Sequence, residues 1–353
     1  MEDIKIYCEN DASYHSFPMG TDLKCISAAV CPSVPCKKGS DKTEVLAALV
    51  DNQLKELSFK VMATHNVRFV GYDHPDGRRT YIRSLCFVLQ NVIREKYPDK
   101  VLVIDYSLPS GLYCEIREKE ELYDGRPKVY FATDDEIEAI QSRMDEIIAA
   151  DIPFIKSKKC LNEAVSLLTA NGQKEKVNLA RSLGRLTYSV YSLDGQYDTF
   201  YGPLVPSRGC LRTFDLIGFN NGFCLQYPMD GNPDKVLPLK RQSKLANALK
   251  EHSDWCSIMD VKGVGSLNQA VRDGKIIDLI NLSEALHERK YADIADMIYS
   301  RRGTVKIVFI AGPSSSGKTS TSKRLAIQCR ILGLNPKVIE LDNYFVDREF
   351  TPR

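Results

Sequence analysis

The sequence predicts an α+β N-terminal region, then a helical connector, then the start of an α/β domain built around a phosphate loop. Three observations predict it. Short alternating apolar runs separated by turn formers fill residues 1–72. Helical apolar spacing dominates from Ser243 to Arg302. A loop rich in glycine and serine, A-G-P-S-S-S-G-K-T-S at 311–320, stands between an apolar run and a helical one.

Composition sets the frame. With 353 residues, 43% hydrophobic and 27% charged, the chain is expected to hold two or three domains with proper cores. A net charge of +2 does not by itself argue for nucleic acid. The N-terminus M-E-D-I-K-I-Y-C lacks a basic-then-apolar signal pattern, and no apolar run approaches the roughly 18 residues of a membrane span. A cytoplasmic protein with no membrane partner is expected. The eleven cysteines are scattered without a C-x-x-C pair, the nearest two, Cys31 and Cys36, flanking P-S-V-P, so reduced and mostly packed thiols are expected. His15, His65, His74, His252 and His287 are dispersed, and no metal site, zinc included, is legible.

In the first region, I-K-I-Y-C and Y-H-S-F-P read as strands, and Thr21 caps a short helix reaching Val30. L-A-A-L-V-D-N-Q-L-K-E-L reads as a hairpin turning at Asp51-Asn52, and V-R-F-V-G-Y as a last strand. Strand, strand, helix, hairpin, strand is β-grasp order. It resembles the TGS domain that opens threonyl-tRNA synthetases.

Residues 73–228 extend that resemblance. A helical pattern from Arg78 to Tyr97 ends in E-K-Y-P; then come I-D-Y-S-L-P-S-G-L-Y-C-E-I, a helix with a capping box at Thr133 and Glu136, and Y-D-T-F-Y-G-P-L-V-P-S. Ile137, Ile140, Met144, Ile147 and Ile148 fall on one face of that helix, a packing stripe. Threonyl-tRNA synthetases show similar segments in the same order, so 73–228 looks like their second additional, or editing, domain. In that family an H-x-x-x-H helix and a later Cys and His bind metal or act on mischarged tRNA. The matching positions here are Arg83, Phe87, Phe200 and Leu204, so none of the ligands is present. A retained fold without its chemistry is expected, serving to bind or regulate: to sense a nucleotide or RNA in the old cleft, or to organise a homo-oligomer.

Residues 229–304 form the link. M-D-G-N-P-D-K-V-L-P is rich in turn formers, and S-K-L-A-N-A-L-K-E-H, S-L-N-Q-A-V-R-D-G and L-S-E-A-L-H-E-R-K-Y-A-D-I-A-D-M-I-Y-S-R-R are helical. Ala285, Ile294, Ala295 and Ile298 supply an apolar face.

In 305–353, Gly312, Gly317, Lys318 and Thr319 fit G-x-x-x-x-G-K-[ST]. Val305 to Ala311 suits a buried parallel strand before the loop, and a helix follows until Gly333. Gly312, Pro313, Ser314, Ser315, Ser316, Gly317, Lys318, Thr319 and Ser320 are expected to cradle the phosphates of ATP, with Mg²⁺ on the Thr319 hydroxyl. Lys337 to Leu341 reads as a second strand delivering Asp342 to its C-terminal end, where it either takes a proton from an attacking hydroxyl or is a solvated acid or helix cap.

The serine-rich loop followed by L-D-N-Y-F resembles the uridine kinase and phosphoribulokinase family. That resemblance implies catalytic roles for Lys318 and for Asp342, the base toward a nucleoside 5′-hydroxyl, and a base pocket shaped by Tyr344 and Phe345, the latter standing where the family usually has Tyr. It implies a kinase acting on a uridine-like nucleoside, or a related sugar-phosphate kinase. The competing reading is an RNA-associated regulatory protein using the loop as a nucleotide sensor. Such kinases need roughly 200 residues. The expectation is therefore the inactive front part of a longer protein.

Overall fold

Alternation decides the first strand: in β1 (Asp3–Cys8), Ile4, Ile6 and Cys8 are buried while Asp3 and Lys5 face outward. The computed structural model describes residues 3–38, 42–121, 127–229, 232–346 and 348–350 and divides into two units, 1–269 and 270–353. In the first unit β2 (Ser13–Pro18) pairs antiparallel with β1, Asp3 facing Pro18. Next comes α1 (Leu23–Val30). Its cap is Asp22, whose Oδ1 accepts from the Cys25 N–H at 2.7 Å, and not Thr21, whose hydroxyl donates instead to the Pro18 carbonyl at 2.6 Å. The short pair β3 (Ser33–Pro35) and β4 (Lys42–Glu44) carries no signal in the sequence reading. β5 (Ala47–Val50) turns through Asp51 and Asn52, both at positive φ (47° and 63°), into β6 (Gln53–Lys55), the geometry of a tight hairpin. β7 (His65–Val70) takes the centre, parallel to β1 and antiparallel to β5, in the order β2-β1-β7-β5-β6. Leu23 and Ile26 of the helix close a core over Ile6, Val67 and Phe69.

Pro75, at a position where no intrahelical N–H is needed, starts α2 (Pro75–Lys96), and the helix stops before Tyr97-Pro98. β8 (Lys100–Leu108), β9 (Gly111–Glu121) and β10 (Pro127–Tyr130) follow, with β8 and β10 both antiparallel to β9. α3 (Asp134–Ala149) opens on the expected capping box and buries the expected five residues. β11 (Ile155–Cys160), α4 (Leu161–Ala170), α5 (Lys174–Leu183), β12 (Thr187–Leu193) and β13 (Gln196–Asp198) make a small layer with strand order β11-β12-β13. β14 (Asp215–Phe219) and β15 (Gly222–Gln226) return to the larger sheet, ordered β10-β9-β15-β14. One core joins these parts through Phe87, Val88, Ile116, Ile140, Met144 and Phe223. Each such side chain contributes about 1.5–3 kcal/mol by leaving water.

The described part of the expected linker is pinned down: Gln226 Nε2 donates to the Leu237 carbonyl at 3.0 Å, and the Lys240 N–H to Ser110 Oγ at 3.0 Å. α6 (Ser243–Ile258) then buries Ala246 against Leu108, Tyr113 and Phe219. In α7 (Val264–Arg272), Gly265 lies so close to α5 that a Cβ would sit 2.6 Å from the Glu175 carbonyl oxygen.

The second unit is helical. α8 (Ile276–Ser300) and α9 (Lys318–Ile331) pack through Ala295, Leu325 and Cys329, and Arg324 of α9 pairs with Glu284 and Glu288 of α8. Two expected strands are absent: Val305–Ala311 and Lys337–Leu341 form none, Phe309 is 84% exposed and Ile339 67% exposed, and Leu341–Tyr344 is one 3₁₀ turn. A strand exists only when a neighbour takes up its N–H and C=O groups, and no such pairing involves either segment among the described residues. The fold is mixed α+β, and the α/β start expected at 305–353 is not formed. No described helix is long and apolar enough to cross a membrane.

Candidate functional site

Helical spacing puts Arg83 and Phe87, four apart on α2, on one face, and that face meets the chain leaving β13. Here the four positions singled out by the sequence come together. The Phe87 and Phe200 ring centroids are 5.2 Å apart at 61°, Phe154 stacks on Phe87 at 5.9 Å, and Tyr191 meets Phe200 at 6.0 Å. Leu204 is buried in the same core. Arg83 Nη1 donates to the Pro203 carbonyl at 2.6 Å. Gly202 holds φ at 138°, and a Cβ there would lie 2.8 Å from the Arg83 guanidinium, so only glycine leaves that group its place. Ser84 anchors the same stretch, its Oγ accepting from the Val205 N–H at 2.9 Å.

Beside the rings lies a buried carboxylate. Asp198 accepts from Lys176 Nζ and from the Thr199 N–H at 2.6 Å, with Arg94 Nη2 3.8 Å away. With its amide oriented to satisfy both neighbours, Gln90 donates to Asp198 Oδ2 at 2.6 Å and accepts from Arg94 at 2.8 Å. Lys176 also stands 4.8 Å from the centroid of the Phe200 ring. Burial lowers the pKa of Arg83 and of Arg94, the latter opposed by Asp198. Burial pushes the Cys86 thiol up to about 12 against the pull of Lys176 and Arg83, so Cys86 is a protonated, packed thiol and no nucleophile.

The chemistry open to this cluster is recognition. It offers a guanidinium with spare donors, a paired ammonium and aromatic rings. Among the described residues no three His, Cys, Asp or Glu side chains are grouped to hold a metal. Lys176, Asp198 and Gly202 escaped the sequence reading. Asp198 and Gly202 lay inside the quoted Y-D-T-F-Y-G segment, where an acid between aromatics and a glycine before proline were the available signals.

The segment expected to be a phosphate loop takes only part of that geometry. Gly317 sits at φ 83° just before α9, so Lys318, Thr319 and Ser320 open the helix, and the Ser316 N–H donates to the Pro313 carbonyl at 3.3 Å. Lys318 Nζ folds back onto the same carbonyl at 2.7 Å. Asp342, Tyr344 and Phe345 are all exposed, the rings by 71% and 78%, and no hydrogen bond or ion pair among the described residues joins Asp342 to the loop. Without the second strand, nothing delivers Asp342 to a sheet edge.

The fold is mixed α+β, and the proteins this chain is similar to include tRNA ligases. The chain is 22% identical to the threonine–tRNA ligase of Francisella tularensis subsp. holarctica over 274 residues, 78% of this chain and 39% of that protein. It is 24% identical to that of Carboxydothermus hydrogenoformans over 181 residues, 51% of this chain and 27% of that protein. The matched stretch thus spans about two fifths or less of these relatives' length. No family model matches the chain. The threonyl-tRNA synthetase resemblance is supported. The expectation of a nucleoside or sugar-phosphate kinase is overturned by relatives named as tRNA ligases across most of the chain. The kinase roles of Asp342, Lys318, Tyr344 and Phe345, and the uridine-like substrate, go with it.

Proposed function

We propose that the chain is an aminoacyl-tRNA synthetase-related protein whose TGS-like 1–72 and editing-like 73–228 regions bind tRNA without hydrolysing the aminoacyl ester. The observation that carries this reading is the convergence of Arg83, Phe87, Phe200 and Leu204 in one cluster. Ester hydrolysis needs a water activated by a metal or a general base. A guanidinium and apolar side chains supply neither, whereas a guanidinium, which stays charged, is well suited to phosphate. The test is filter binding of threonine-specific tRNA beside a deacylation assay on the mischarged form. Salt-dependent binding with hydrolysis at the uncatalysed rate is expected; catalytic deacylation, or no binding at low salt, overturns the reading.

A second reading concerns Gly312 to Ser320, as a site for the phosphates of ATP with Mg²⁺ on Thr319. Its support is local: the glycine at positive φ and the N-terminus of the 14-residue α9, whose free N–H groups and dipole favour an anion. Calorimetric titration with ATP-Mg²⁺ tests it, and equal affinity in Lys318→Ala and the parent chain overturns it.

A further inference from the structure

Charge is unevenly placed along this chain. Residues 155–188 hold seven Lys and Arg and two Glu, a net of +5 in a chain that sums to +2, so everything outside that stretch sums to −3. Two of the seven are neutralised locally: Lys156 pairs with Glu56 at 2.7 Å and Lys176 with Asp198. Lys158, Lys159, Arg181 and Arg185 have no acidic partner among the described residues, and all but the half-buried Lys159 are exposed. The fold gathers these four at one end of the small layer. β11 is the edge strand of its sheet and pairs only with β12, which sets Lys158 opposite Ser189 and Lys159 opposite Tyr188. The Tyr188 hydroxyl donates to the Ala180 carbonyl of α5 at 2.6 Å, which brings the next residue, Arg181, to the same end, and Arg185 lies in the turn that joins α5 to β12. One acid stands near them, Glu163, whose carboxylate accepts from the Cys160 N–H at 3.3 Å. Lysines on an edge strand deter a second strand from pairing, and that accounts for Lys158 and Lys159. It does not account for two arginines on the helix and turn beside them. The patch has no open ring face for a base: Tyr188 is half-buried with its hydroxyl used by Ala180, and the Tyr201 ring lies under Arg185 at 5.8 Å. Cations without rings suit a phosphate backbone and not bases, and a duplex presents its phosphates more densely than a single strand.

We propose that this end of the β11–α5 layer is an electrostatic docking surface for the phosphate backbone of duplex RNA, with Lys158, Lys159, Arg181 and Arg185 as its contacts and no reading of base sequence. The surface is separate from the Arg83 cluster, and its assignment to RNA rests on the tRNA-binding reading above. Other occupants fit less well. The edge lysines oppose the addition of a peptide strand, and Leu186, although 87% exposed, is too little apolar surface to hold a lipid face.

The experiment is a fluorescence-anisotropy titration of the full chain with two blunt-ended RNA duplexes of unrelated sequence, each about 12 base pairs long, and with one of their single strands, over a series of salt concentrations. The parent is compared with a protein carrying K158Q, K159Q, R181Q and R185Q together, and with a charge-matched control carrying K5Q, K244Q, K323Q and K337Q, all at exposed lysines elsewhere. Circular dichroism melting checks that each protein is folded. Both duplexes are expected to bind alike and more tightly than the single strand. The four-site variant is expected to lose about tenfold or more and to lower the slope of log affinity against log salt by about 3 to 4, near one unit per phosphate contact, while the control stays within about threefold of the parent. A four-site variant that binds duplex like the parent, or a control that loses as much, overturns the proposal. So does competition by phosphatidylserine vesicles that depends on the same four cations, which assigns the surface to lipid. Should threonine-specific tRNA still bind when the four-site variant proves neutral, the surface fails while the broader reading stands; duplex binding through the four cations without tRNA binding is the converse.

Discussion

Phe87 and Phe200 meet edge to face, ring centroids 5.2 Å apart at 61°, across the junction of α2 and the chain that leaves β13. Edge-to-face pairs align a ring's positive rim with its neighbour's negative face, and Phe87 is fully buried besides. Phe87→Ala is expected to cost about 3–5 kcal/mol, as for other buried aromatics, and the half-buried Phe200→Ala less. Urea unfolding followed by circular dichroism checks the order; a larger loss at Phe200 would place the core elsewhere.

Asp198 holds together groups from α2, α5 and its own strand end. Its Ala variant leaves Arg94, with a side chain only 14% exposed, without its carboxylate. Losing one member of a buried ionic group costs about 3 kcal/mol, and Lys176→Ala, at a side chain 35% exposed, is expected to cost about 1 kcal/mol or less. Equal losses in thermal unfolding would mean that Arg94 does not depend on Asp198.

How legible all this was in the sequence depends on the range of the forces involved. The 51–52 hairpin and the α3 capping box are local, fixed by side-chain hydrogen bonds and φ preferences, and both lie where expected. The stripe of Ile137, Ile140, Met144, Ile147 and Ile148 was equally legible because helical period alone selects a face. Asp198 was not: its meaning depends on Lys176 and Arg94, brought from two other helices. The apolar runs at 305–311 and 337–341 misled for the complementary reason. Periodicity reports that a segment suits a sheet, and only tertiary structure supplies the neighbouring strand.

Metal content tests the reading of the cluster directly. Zinc needs deprotonated N, O or S ligands converging on one point, and Arg83, Phe87, Phe200 and Leu204 offer a cation and three apolar groups. Elemental analysis of protein purified without an affinity tag should find no stoichiometric zinc. One zinc per chain would require a ligand set elsewhere.

The α3 capping box sets an acid-side pH dependence. The Tyr130 hydroxyl, donating to Glu136 Oε1 at 2.5 Å, and then the Thr133 N–H hold the Glu136 carboxyl below its ordinary value of 4.5. A depressed folded-state pKa means stability that is present above the unfolded value and lost as pH falls through the folded one. Glu136→Gln should remove that part of the acid transition, and Thr133→Ala should cost about 1 kcal/mol at neutral pH. Unchanged acid melting of the Gln variant would show that the pair carries no linkage.

Within 270–353, exposure separates two apolar substitutions that hydrophobicity alone would rank the other way. Phe309 is 84% exposed in a segment without strand partners, so Phe309→Ser removes almost no buried surface and should shift stability by no more than about 0.5 kcal/mol. Leu325 is 7% exposed and packs with Ala295 and Cys329 between α8 and α9, so Leu325→Ala should cost about 2–5 kcal/mol in cavity and transfer terms. The same geometry makes 305–310 and 337–341 favourable cleavage sites, because a protease needs an extended backbone free of ladder hydrogen bonds. Limited proteolysis with chymotrypsin, read by mass spectrometry, should cut after Phe309 before it cuts within α9. If Phe309→Ser destabilised the chain as much as Leu325→Ala and Phe309 resisted cleavage, the 305–310 run would be a buried strand in solution, and the α/β arrangement first read from the sequence would stand.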